Sequence, residues 1–191
     1  MSDPTLKHPS DWKTERKTTH STFALAMAIA WHKRLETGVE AIDLDCGKTY
    51  DGPVVDPTGE ETRPITGEQY DAMVAEAVQI FKAAQADAVK KGGKAAQVQI
   101  VPHDELHHAV ILKLPAGAEA VALLKELRSV RESGVDFQVG YAAIMSQRLL
   151  WPAGQALVDL QDRMGLAFYT SYPELMTSRI GSRGADLKKR A

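Results

Sequence analysis

The longest unbroken apolar run in the chain is Phe23 to Trp31. Phe23, Met27, Ala30 and Trp31 fall on one stripe of a helix predicted from Thr22 to Thr37, with Gly38 as its stop. The first half of that helix is apolar all round, which marks an element surrounded by the rest of the fold. Val39, Ala41, Ile42 and Leu44 then read as strand-like, Cys46–Gly47 and Asp51–Gly52 as turns, and Pro53 and Pro57 as barriers to a long central strand. Residues 39–56 are therefore expected to form a short hairpin or an irregular edge. Thr66 and Gln69 have the spacing of a capping box at the start of a second helix. Along it Tyr70, Met73, Val74, Ala77, Phe81, Ala84 and Ala88 recur at helical intervals, and Gly92–Gly93 closes it.

The period changes after Gly93. Val98 and Ile100 alternate with Gln97 and Gln99, and Val110, Leu112 and Leu114 alternate with Ile111 and Lys113, so both stretches read as strands. From Pro115 onward the pattern is helical again. Val121, Leu124, Leu127 and Val130 form one stripe, and Tyr141, Ile144, Met145 and Leu149 a second. Pro152 stands in the first turn of a third helix, and a last helical region restarts near Pro173. The predicted fold is α+β and mostly helical: four to five helices packed with a small antiparallel sheet built from 39–56 and 97–114. Residues 1–18, polar and holding Pro4 and Pro9, are expected as an extended N-terminal arm. Residues 19–181 are expected as a single domain with possible sub-lobes 19–93 and 94–181, and 182–191 as a basic tail.

Composition narrows the functional classes. A formal net charge of −2 gives no whole-chain attraction for nucleic acid or an anionic membrane. The apolar run of Phe23–Trp31 rises only ~14 Å as a helix, against ~30 Å of bilayer hydrocarbon, and a buried first helix is favoured over a cleaved leader. Cys46 is the single cysteine, which excludes an internal disulfide and fits a cytoplasmic location. Dinucleotide, phosphate-loop, nucleophile-elbow and Cys-x-x-Cys signatures are all missing; the "GKT" at 47–49 lacks the upstream glycine a phosphate loop needs.

The chemistry-bearing stretch is "VPHDELHHAV", with His103, Asp104, Glu105, His107 and His108 inside six positions. On a helix His103 and His107 would be neighbours able to share an ion. In extended chain the same spacing is ~13 Å, too far for one metal. The order also departs from His-Glu-x-x-His, because Asp104 follows the first histidine. Flanking strand patterns favour a solvent-facing connection over a metal or catalytic site, with no metal and no cofactor expected. At the far end Arg183, Lys188, Lys189 and Arg190 make the tail locally basic, yet no aromatics are interleaved, so nucleic-acid binding is the weaker reading.

In the second half a strand ending in proline, "VILKLPAG", leads into a helix. A further helix ends in "LLWP", and an amphipathic helix and a last helix closed by glycine follow. Through Leu114, Pro115, Leu149, Leu150, Trp151, Pro152, Leu157, Leu160, Tyr172 and Gly181, residues 108–181 resemble small tail assembly chaperones of tailed phages and phage-derived elements. The resemblance implies a non-enzymatic structural or assembly protein that works by protein–protein contacts, with phage tail components among its partners. Trp151, Leu157, Leu160 and Met164 would then present the partner-binding face, self-association would be compatible, and the location would be the host cytoplasm or the virion. Two other readings stand beside it: a metal-dependent enzyme using His103, His107 and His108 with Asp104 or Glu105, and a nucleic-acid accessory using the basic tail.

Overall fold

The computed structural model describes residues 5–37, 52–53, 62–104, 108–133, 137–164, 171–173, 175 and 179. The architecture is α+β and mostly helical, with a small three-stranded antiparallel sheet. Among the described residues there are six α-helices: α1 Pro9–Glu15, α2 His20–Thr37, α3 Gly67–Lys90, α4 Ala118–Glu132, α5 Phe137–Arg148 and α6 Gln155–Met164. The strands are β1 Val98–His103, β2 His108–Lys113 and β3 Leu149–Trp151, in the order β1-β2-β3.

The chain sorts into two compact units, residues 1–83 with 100–110, and residues 84–99 with 111–191. The division is not the contiguous pair of sub-lobes expected from the pattern, because α3, β1 and β2 each give residues to both units.

In the first unit α2 is the element the apolar run promised. Leu25 through Trp31 are all buried, as are the next residue, His32, and Arg34. Thr19 caps the helix, its Oγ1 accepting from the Thr22 amide at 3.3 Å. The expected N-terminal arm is instead folded from residue 5 onward. Pro9 starts α1, and Trp12 is buried against Ile65 and Tyr70, with Phe23, Met73 and Val74 at the edge of the cluster. The Trp12 indole donates to the Ile65 carbonyl at 2.9 Å, and Lys7 and Ile65 pair their backbones in both directions. Polar composition concealed this, because one tryptophan supplies enough apolar area to dock a seven-residue helix. Arg16 joins α1 to α3 through a two-pronged contact with Asp71, 3.2 Å on each prong.

The capping box at the head of α3 is present in both halves: the Gln69 amide donates to Thr66 Oγ1 at 3.2 Å, and the Thr66 amide donates to Gln69 Oε1 at 2.9 Å. The helix ends as the double glycine requires. Gly92 takes φ +81°, and the Gly93 amide returns to the Ala88 carbonyl at 2.8 Å.

The second unit corrects two expectations. Leu149–Trp151 is a short strand rather than the end of a helix, and it pairs antiparallel with β2 through Ile111↔Trp151 and Leu112↔Leu149, with an irregularity between the two pairs. The residue before a proline is pushed out of the helical region, and Trp151 precedes Pro152. On α4 the inward face is Ala120, Leu123 and Leu127, while Val121 is 54% exposed. Two apolar stripes overlap on that helix, and the one carrying Leu123 buries more hydrocarbon. The sheet's third strand among the described residues is therefore β3; the hairpin expected at 39–56 lies almost wholly outside them.

Candidate functional site

The expected solvent-facing connection is shorter than the pattern indicated, and this changes the histidines. β1 runs as far as His103 and β2 begins at His108. His103 is 8% exposed and His108 2%, so both are interior side chains rather than wet loop residues. The polar letters around them hid strand ends that the fold covers. Asp104 is exposed, while Glu105 and His107 lie outside the described residues.

Two histidines from α2 complete the group. His32 is buried, and its Nε2 lies 3.2 Å from His108 Nε2. The ring centroids are 5.4 Å apart. With the nitrogens so much closer than the centres, the rings stand nearly end to end. That is the arrangement of an N–H···N hydrogen bond, in which one ring donates and the other accepts. Two lone pairs converging on one ion would instead bring the rings together at an angle. Trp31 packs edge-on against both imidazoles, with centroids at 4.8 and 5.6 Å. Burial, with the neighbouring His32 and His103 adding to it, holds the His108 imidazole well below the ordinary histidine range, so it is neutral.

His20 is the exposed member. Its Nε2 meets Asp104 Oδ1 at 2.7 Å and its Nδ1 meets Lys13 Nζ at 3.3 Å. An ammonium group only donates, so Nδ1 accepts and Nε2–H donates to the carboxylate. Both ring nitrogens are thereby engaged.

These residues surround a cavity of about 380 Å³ in the first unit. Pro9, Phe23, Ala24 and Met27 give it apolar wall; His20, His103, His108, Asp104, Ser10 and Thr62 give it polar edge. Helix α1 contributes Pro9 and Ser10, which is what the docking of Trp12 achieves for the site. Among the described residues no three histidine, cysteine or acidic side chains are placed to hold one metal ion. No described helix is long and apolar enough to cross a membrane.

The sequence reading found His103, His108 and Asp104 but not His20 or His32. His32 had a usable signal: a histidine beside Trp31 in a helix apolar all round must be buried, and a buried imidazole needs a partner. Of the residues expected to bind partners, Trp151 on β3 and Leu157 on α6 are half-buried in the second unit. The side chains of Leu160 and Met164 lie outside the described residues, as do the tail residues Arg183, Lys188, Lys189 and Arg190. Compared with known protein families, curated proteins and solved structures, the chain matches none.

Proposed function

We propose that the protein acts by binding, as a non-enzymatic assembly protein, and that the pocket of the first unit receives an apolar side chain from a partner polypeptide. The observation that carries this is the commitment of the pocket's titratable groups. His20 has Asp104 on one nitrogen and Lys13 on the other, so it presents no lone pair to activate Ser10 or Thr62. His108 is tied to His32. What the cavity offers is apolar wall from Phe23, Ala24, Met27 and Pro9 with a hydrogen-bonding edge, the make-up of a recognition pocket. A buried anchor of this kind supplies a large share of the energy of many protein–protein contacts. The resemblance of residues 108–181 to tail assembly chaperones supports the same class and makes phage tail components the first partners to test.

The test is a peptide selection on the immobilised chain, with Ala24→Phe as counter-target because the larger ring fills the cavity. Peptides sharing an apolar anchor, with affinity at least roughly tenfold weaker for Ala24→Phe, about 1.4 kcal/mol, support the reading. Peptides that bind both forms equally sink it.

A further inference from the structure

The charge of the pocket is set at its mouth. Asp104 is the one carboxylate among the described lining residues. Its side chain is 79% exposed, so it stands at the rim rather than deep against the hydrocarbon of Phe23, Ala24 and Met27. His20 donates Nε2–H to Oδ1 at 2.7 Å. That contact positions the carboxylate without neutralising it, because Lys13 donates to the other ring nitrogen and the imidazole between them is neutral. The second oxygen, Oδ2, has no hydrogen bond among the described residues.

Of the cations on and beside α1, Lys7 pairs with Glu15 and Arg16 with Asp71. Lys13 lies over the Phe23 ring at 4.9 Å, and the His20 ring stands between it and Asp104. None of the three meets Asp104 among the described residues. The mouth of an apolar pocket therefore carries a negative charge with an oxygen turned to no partner. A charge so placed selects the neighbour of whatever enters: a basic side chain at the rim is attracted, and an acidic one is repelled. Because the carboxylate stays in water, it discriminates between partners more than it adds affinity.

We infer that the partner segment read by this pocket is basic: an apolar anchor seated against Phe23, Ala24 and Met27, with an arginine or lysine next to it in sequence meeting Asp104. Adjacent residues have Cα atoms about 3.8 Å apart, and a long basic side chain spans the remaining distance from wall to rim while its stem covers apolar surface. The inference rests on the proposed reading that the pocket takes an apolar anchor, and adds the charge of the residue beside it.

The experiment is an NMR titration of the full chain with N-acetyl-Phe-Arg amide and with N-acetyl-Phe-citrulline amide, and with the same pair in reversed order. Citrulline keeps the length and planar end of arginine without its charge. In at least one order the arginine peptide should bind about two- to fivefold more tightly than its citrulline counterpart, the range for an exposed ion pair. That preference should shrink toward unity on going from about 50 mM to about 500 mM salt, a check that needs no variant. It should also vanish in Asp104→Asn, which keeps a side-chain oxygen to accept the His20 N–H, while the citrulline peptides bind as before. Equal binding of arginine and citrulline peptides in both orders overturns the charge and leaves the apolar pocket standing. A preference that persists undiminished in Asp104→Asn overturns the assignment to this carboxylate. If no probe binds and selection returns anchors sensitive to Ala24→Phe but without a basic neighbour, the charge alone is overturned. If no probe binds and the selected peptides are indifferent to Ala24→Phe, both readings are removed.

Discussion

A missing carbon at Gly140 governs how α4 and α5 meet. A Cβ built there would lie 2.7 Å from Val130 Cγ1 and 3.0 Å from Cγ2. Valine has little rotamer freedom with which to withdraw. Gly140→Ala gains about 1 kcal/mol of helix propensity, against about 1–3 kcal/mol for overpacking. The clash involves two methyl groups of a stiff residue, so the second effect should win. The variant is expected to unfold about 1 kcal/mol more easily in urea. Adding Val130→Ala should restore part of the loss, and a double-mutant cycle that comes out additive would refute the contact. Residue-scale facts of this kind were barely legible in the linear pattern. Gly140 read as one more small residue in a helical stretch, and nothing near His108 named His32, seventy-six positions away. Burial at one position and its partner at another are joined only by the fold.

At the scale of elements the pattern was a better guide wherever one face of an element decides its place. The α2 and α3 helices, the capping box and the strands around 98–113 all follow periodicity or local hydrogen-bond chemistry, and all are present. It failed where a single contact outweighs composition, and α1 is the clearest instance. Seven residues are too few for a helix to persist alone in water. Its stability comes from Trp12, from the Arg16–Asp71 contact and from the Lys7–Ile65 pairing. Trp12→Ala should therefore cost about 3–5 kcal/mol and release α1, seen as loss of amide-exchange protection over residues 9–15. Trp12→Phe should cost far less, about 1 kcal/mol, because the Ile65 carbonyl keeps the Lys7 amide as a donor. Helix α1 carries Pro9 and Ser10 into the pocket, so Trp12→Ala should also weaken any ligand there. If α1 stays protected in Trp12→Ala, the docking argument fails.

For the molecule as a whole, the buried His108 imidazole makes stability a function of pH, and the sign follows from where each state holds its proton. Unfolded His108 titrates near its ordinary value of 6.5, while in the folded chain burial beside His32 and His103 lowers it well below that. Between those two points the unfolded state binds a proton that the folded state refuses. Stability from this group is therefore complete above about pH 6.5 and drains away as the pH falls below it, with a slope of up to about 1.4 kcal/mol per pH unit for one proton. Urea midpoints measured from about pH 7.5 down to about pH 5.5 should fall accordingly, and His108→Gln should flatten the decline. A midpoint independent of pH across that interval would contradict a buried neutral His108. One buried position on β2, set against His32 of α2, thus ties the acid sensitivity of the fold to the packing of its interior.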